Sequence, residues 1–185
     1  MDIETLQGRL LVAAPRLDDP NFRRTVILLL QHTLDGALGL VLNRPTKALI
    51  KDVWSQVSEL PCLSEAKLHV GGPVEGPLMA VHAEQELGDA QVIPGLYFTP
   101  EPEKIQQLVL EDKGSFKLFV GYSGWGSGQL EQEMQEGSWF TCAATVEHVF
   151  VQAEDLWEDV FREVGKASVL SKLKIKHVPP DLRMN

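Results

Sequence analysis

The chain has 185 residues, 44% of them hydrophobic and 23% charged, and its seventeen basic against twenty-six acidic side chains leave a net charge of −9. That size supports one domain with its own core and no need of a metal or disulfide staple, and the charge repels phosphate backbones. No apolar stretch approaches the roughly 20 residues that span a bilayer, the first residues lack the basic and apolar regions of a signal peptide, and Cys62 and Cys142 match no zinc or redox spacing, so a cytoplasmic protein with reduced thiols and no membrane association is expected.

Gly8 to Ala14 is a short apolar run closed by Pro15 and reads as a strand. Thr25 to Leu30 is apolar and β-branched, so it reads as a strand buried on both faces. Asp35-Gly36 then predicts a hairpin turn into a return strand, Ala37 to Leu42, which stops at Asn43-Arg44-Pro45. Thr46 is the expected N-cap of a helix to about Leu60, with Leu49, Ile50, Val53, Trp54 and Val57 at helical spacing and Pro61 as its end. Lys67 to Val70 reads as a strand stopped by Gly71-Gly72-Pro73. Leu78 to His82 is another, entering the acidic loop Glu84 to Asp89. Gln91 to Ile93 and Leu96 to Thr99 form a hairpin pattern around Pro94-Gly95.

A helix is expected from Thr99 or Glu101 to about Leu110, with Ile105, Leu108 and Val109 inward. Phe116 to Gly121 reads as a strand and Gln129 to Gln135 as a short acidic helix. Trp139 to Ala144 and His148 to Val151 have strand-like patterns. Asp155 opens an amphipathic helix that buries Leu156, Trp157, Val160, Phe161 and Val164, with Gly165 as its C-cap. Ala167 to Ile175 is expected as one further short helix, and 178–185 as a frayed tail. Strands outnumber helices without alternating with them, which argues for an α+β fold.

Four segments carry a resemblance. They are Gly8-Arg9-Leu10-Leu11-Val12-Ala13-Ala14-Pro15 with Asp19-Pro20-Asn21-Phe22-Arg23-Arg24-Thr25-Val26; His32 with Gly36-Ala37-Leu38-Gly39-Leu40-Val41-Leu42-Asn43-Arg44-Pro45; Val70-Gly71-Gly72-Pro73-Val74; and Gly121-Tyr122-Ser123-Gly124-Trp125-Gly126-Ser127-Gly128-Gln129-Leu130-Glu131-Gln132-Glu133 followed by Trp139. In this order and spacing the chain resembles the YqgE/AlgH family, over a core of about 8–165. The resemblance implies one compact α+β domain, a branched, partly barrel-like and mostly antiparallel sheet flanked by helices. It also implies a link to regulation of alginate synthesis in pseudomonads, for which members are described as transcriptional regulators. It brings no agreed catalytic residues.

Gly121 to Gly128 is the leading candidate for a ligand site. Read as a loop between strand and helix, its glycines turn backbone N–H groups toward one point, an arrangement suited to an anion. It lacks the Lys-Ser/Thr of a phosphate-binding P-loop and has the wrong glycine spacing for a dinucleotide fingerprint. Glu131, Glu133 and Glu136 lie just downstream and oppose a phosphate. The competing reading is a tight turn in which Tyr122 and Trp125 pack on the core. Ser123 invites comparison with a nucleophile elbow, but Trp125 replaces the second required glycine; Ser127 reads as an N-cap. Asn43, Arg44, Gly71 and Gly72 sit at strand ends where they either line a cleft with this segment or only terminate strands. His32 reads as a residue fixing the hairpin turn. No histidine pair has metal-ligand spacing, so neither a metal nor a cofactor is expected. The C-terminal Lys166, Lys172, Lys174, Lys176 and Arg183 form no recognised DNA-binding module. The function expected is that of a non-catalytic binding or regulatory protein, acting through a protein partner or a small ligand without direct, specific DNA contact. The alternative is a hydrolase-like enzyme with the Gly-rich segment as its oxyanion cradle.

Overall fold

The computed structural model describes residues 5–111, 115–151 and 154–172. Its strands are β1 (Arg9–Ala13), β2 (Val26–Thr33), β3 (Gly36–Val41), β4 (Pro45–Leu49), β5 (Lys67–Val70), β6 (Val74–His82), β7 (Ala90–Ile93), β8 (Leu96–Thr99), β9 (Phe116–Gly126) and β10 (Trp139–Ala143). Its helices are α1 (Ile50–Val57), α2 (Pro102–Glu111), α3 (Gln129–Gln135), α4 (Val146–Phe150) and α5 (Leu156–Lys172). The strand order is β10-β1-β2-β3-β9-β6-β8-β7; β5 joins β9 in parallel, and β4 pairs with β5. The sheet curls until the start of β1 meets β7, where a Cβ on Gly8 would lie 2.8 Å from the Val92 carbonyl oxygen. This is the expected α+β half-barrel with a branched sheet.

The branch is in β9. One edge of β9 follows β6 from His82↔Phe116 to Val74↔Tyr122. The other edge pairs first with β5, at His69↔Phe119 and Val70↔Val120, and then with β3, from Gly39↔Ser123 to Gly36↔Gly126. The change of partner falls at Gly121, whose φ is 71°. Alternation of side chains along a strand has period 2, and one residue with left-handed φ resets it. Before Gly121 the odd-numbered Phe119 faces the barrel interior; after it the even-numbered Tyr122 packs there, and Trp125 faces out.

Three apolar layers result. The barrel interior holds Leu10, Leu28, Leu40, Met79 and Phe119 and is closed by Val149 of α4 and Leu156 and Val160 of α5. The outer face of β1, β2 and β3 is covered by Leu130 of α3 and by Leu17 and Phe22. The outer face of β6 and β9 is covered by α1 and α2, with Ile105, Leu108 and Val109 inward as expected.

The run Thr25–Leu30 is buried throughout, and β2 and β3 pair as the expected hairpin. The turn is shifted by one residue: Leu34 and Asp35 form it, and the positive φ lies at Gly36, the first residue of β3. Five further expectations are corrected. Thr46 does not cap a helix; it sits in β4, its hydroxyl accepting from the Ala48 N–H, and Pro45 opens that strand beside β5. Leu49 closes β4, and the helical spacing is confined to α1, which begins at Ile50 and ends at Val57, before Pro61. His148 to Val151 is not a strand, because Thr145 and His148 make a capping box that starts α4. Gly165 does not end the last helix, since α5 runs on to Lys172, so Ala167 begins no separate helix. Ile175 and the tail 178–185 lie outside the described residues. Trp157 and Phe161 are half-buried rather than buried; Leu156 and Val160 form the inward stripe.

Gly121→Ala tests the branch. Its Cβ would meet the Val74 carbonyl oxygen at 2.8 Å and that of Gly72 at 3.0 Å, both rigid backbone, in a left-handed conformation. Overpacking of this kind costs about 1–3 kcal/mol on top of about 1–2 kcal/mol for the backbone. Gly128 has nearly the same φ but open space around its Cβ position, so Gly128→Ala carries only the backbone part. In urea denaturation Gly121→Ala is expected to lose more stability than Gly128→Ala by about 2 kcal/mol.

Candidate functional site

The Gly-rich segment is strand, not loop, through Gly126. Its backbone groups enter the ladders with β3 and β6, and the Gly126 N–H donates to Gln129 Oε1 at 3.1 Å. Only Ser127 and Gly128 form a turn. Ser127 does not cap α3: its hydroxyl donates to the Leu34 carbonyl at 2.7 Å, and Gly128 stands at the N-cap without a side-chain bond. Ser123 is fully buried and donates to the Gly71 carbonyl at 3.1 Å. Gly71 and Gly72 pack directly on this stretch: a Cβ on Gly72 would lie 2.2 Å from the Tyr122 carbonyl carbon. Gly71, Gly72, Gly121, Tyr122 and Ser123 thus form a close backbone crossing. Gly124, Trp125 and Gly126 continue the strand toward α3.

The carboxylates after the segment have internal partners. Glu133 Oε2 accepts from two indoles, Trp125 Nε1 at 3.0 Å and Trp139 Nε1 at 2.8 Å. Phe22 stacks on Trp125 and meets the edge of Trp139. Glu131 Oε1 bonds His32 Nε2 at 2.7 Å. The self-directed backbone bond at Glu131, followed by the bond from His32, holds its carboxyl below the usual range. Contrary to the expectation from sequence, the His32 ring bonds no group of the hairpin turn among the described residues. Its Nδ1 accepts from the Leu6 N–H at 3.1 Å, so a neutral ring carries its proton on Nε2, facing Glu131. His32 therefore ties the N-terminal segment to α3.

Two basic side chains occupy the half-barrel on the side of β5 and β9. His69 is buried against Phe119, and burial followed by the nearby Lys117 lowers its pKa to about 4. Lys117 donates to the Val151 carbonyl at 3.1 Å, and burial lowers its pKa to about 8.

Asn43 and Arg44 face a different space from the Gly-rich segment. They line a cleft of about 350 Å³ together with Arg24, Pro45, Glu154, Trp157 and Glu158. Arg24 has φ 55°, the one non-glycine residue with positive φ among the described residues. Asn43 holds that conformation: its Nδ2 donates to the Arg24 carbonyl at 2.8 Å while its Oδ1 accepts from the Val26 N–H at 2.9 Å. Strained backbone kept by specific bonds clusters at functional sites. The Arg24 guanidinium lies 4.7 Å from the Trp157 ring centroid and bonds Glu158. Trp157 itself donates to the Ala13 carbonyl at 2.9 Å and stacks on Phe161 at 5.1 Å. Arg44 Nη2 donates to the Arg23 carbonyl at 2.5 Å, and Arg44 enters no ion pair among the described residues. Burial, then repulsion from Arg23, lowers its pKa. The sequence marks Trp157 only as a core residue of the last helix and Arg24 only as part of the resemblance, not as site residues; a left-handed arginine and a contact across more than a hundred residues leave no local pattern. Among the described residues no group of His, Cys, Asp and Glu is placed to hold a metal ion, and no helix is long and apolar enough to cross a membrane. Lys174, Lys176 and Arg183 lie outside the described residues.

A family model described as AlgH-like (DUF179) matches residues 10–168. The UPF0301 protein CT0663 of Chlorobaculum tepidum is 36% identical over 167 residues, covering 85% of this chain and 86% of its own. A UPF0301 protein of Streptomyces avermitilis is 35% identical over 181 residues, covering 87% and 88%. The solution structure of the AlgH protein from Pseudomonas aeruginosa superposes with a TM-score of 0.72 at 26% identity, over 97% of this chain and all of that one. The crystal structure of DIP2367 from Corynebacterium diphtheriae gives 0.71 at 27% identity, over 88% and 90%.

Two outcomes are expected. Asn43→Ala leaves the Val26 N–H without its acceptor and frees the Arg24 backbone, which costs about 1–3 kcal/mol; Asn43→Asp, which keeps the acceptor, recovers part of that in thermal denaturation. The second concerns acid. His69 is ordinarily half-protonated at pH 6.5 and in the fold only near pH 4. Below pH 6.5 the unfolded chain takes up the proton first, so stability is lost as pH falls from about 6.5 to 4, by up to about 3 kcal/mol. The pH dependence of the His69→Gln variant is expected to be shallower over that interval.

Proposed function

We propose that this chain, which belongs to the AlgH-like family, is a non-catalytic binding protein with a regulatory role, and that its ligand occupies the Arg24–Asn43–Arg44–Trp157 cleft. The observation that carries this reading is Arg24: a strained backbone conformation is held by Asn43, and its side chain is laid over Trp157 at the mouth of a cleft of small-molecule size. Arg44, a half-buried guanidinium without an ionic partner among the described residues, lines the same space. The non-catalytic part is supported by the Gly-rich segment. Its backbone donors serve strand pairing, and the Ser123 hydroxyl is buried with its proton given to a carbonyl. An oxyanion cradle needs free, convergent donors, and a nucleophile needs an adjacent base.

Regulation on this reading is indirect, through the ligand or a protein partner. A net charge of −9 works against the counterion release on which DNA affinity rests. The test is a nitrogen-15 NMR titration of the full chain with dialysable small molecules from a bacterial lysate. Saturable shifts of the Trp157 indole and Arg24 side-chain signals are expected, and their loss in Arg44→Met. Shifts confined to Ser123–Gly128 would move the site to the Gly-rich segment, and no shifts anywhere would refute a small-molecule site. In fluorescence anisotropy at physiological salt, duplex DNA is expected to show no sequence-dependent binding; tight, sequence-dependent binding would replace the indirect mechanism with a direct one.

A further inference from the structure

We infer that the cleft takes a small zwitterion of the α-amino-acid type, with its carboxylate on Arg44 and its ammonium group at Glu154. This rests on the cleft being the binding site. The cleft is lined by two guanidinium groups and two carboxylates. One cation and one anion already satisfy each other, since Arg24 bonds Glu158. The remaining two do not. The Arg44 N–H groups reach only the neutral carbonyls of Arg23 and Asn43, and Glu154 enters no hydrogen bond or ion pair among the described residues. Arg44 is half-buried, and a charge partly removed from water is stabilised by an opposite charge with hydrogen bonds; Glu154 is exposed and lines the same cleft. A ligand with one charge of each sign supplies both partners and leaves the cleft neutral.

The same lining disfavours other anions. A phosphate brings about two negative charges toward a space already edged by two carboxylates. A nucleotide needs a free aromatic face for its base, and the Trp157 ring already carries the Arg24 guanidinium and stacks on Phe161. The volume, about 350 Å³, lies at the lower end of small-molecule sites and suits one amino acid or a dipeptide. A free amino acid and a dipeptide present the same two charges at different separations, which the test separates.

The experiment uses the full chain, with the Trp157 indole resonance as the reporter. Each of the common L-amino acids is added singly, then glycylglycine and alanylalanine. Acetate, methylamine and N-acetylated amino acids are the single-charge controls. At least one zwitterion is expected to saturate the site, with N-acetylation weakening it about tenfold or more. A dipeptide that binds more tightly than every free amino acid identifies the longer charge separation. Arg44→Gln and Glu154→Gln are each expected to weaken binding about tenfold. Glu154 is exposed, so its substitution keeps the test open should Arg44→Gln fail to fold. Three results overturn the inference: no zwitterion shifts the indole, single-charge controls bind as well as zwitterions, or Glu154→Gln binds like the parent. A lysate that shifts the indole when no zwitterion does refutes the ligand class and spares the cleft; silence in both refutes the cleft as well.

Discussion

The fold turns on the passage of one strand through Gly121. Strand β9 serves β6 along one edge and two different partners along the other, and it exchanges them where φ becomes positive. No residue with a side chain fits there, because backbone from Val74 and Gly72 fills the space where the Cβ would sit. Gly71 and Gly72 are small for the reciprocal reason, since they press on the backbone of Gly121 and Tyr122. What the sequence presents as a run of flexible glycines is therefore a place where chains touch. Without that contact Phe119 and Tyr122 would face opposite sides of the sheet, and the barrel interior could not close.

A second set of constraints is polar and works at the surface of the sheet. Glu133 joins two tryptophans from different strands, and Glu131 joins α3 to His32 and through it to Leu6. Asn43 joins the end of β3 to the entry of β2. In each case one side chain satisfies groups from different elements, and removal of either end leaves an unpaired donor or acceptor, which is where such bonds carry most of their weight. The acidic character of α3 is thus partly structural, and a large share of the negative charge near the Gly-rich strand is not free to repel or attract a ligand.

Much of the fold was legible because apolar runs outlast local punctuation. The β2–β3 hairpin, β5, the β7–β8 hairpin, α2 and α3 follow from burial patterns that no neighbouring element contradicts. The misreadings have a common cause. Pro45 and the glycines of β9 read as breakers, yet an edge position accommodates the proline and close backbone packing requires the glycines. Gly165 has open space around it and costs the helix only its propensity, so α5 continues past it. At the candidate site Asn43 and Arg44 are visible as a strand end and Trp157 as a helix core position, whereas the meeting of Arg24 with Trp157 is not, because a left-handed arginine has no composition signal and its aromatic partner arrives from α5. Local chemistry announces where a chain can turn; it does not announce what meets it there.

The pairing of β1 with β10, Arg9 opposite Ala143, joins the first strand of the sheet to the last. During synthesis, therefore, the first three strands leave the ribosome with both outer edges of their meander unpaired. The apolar face later covered by Leu130 and Trp139 is also bare. The nascent chain must wait for most of its length before β9 can dock on β3 and β10 on β1. Such long-range pairing makes folding slow and exposes sticky strand edges in the interval. Cellular yield of this protein is then governed by what shields the meander while translation proceeds, and slowing elongation before β9 prolongs that exposure.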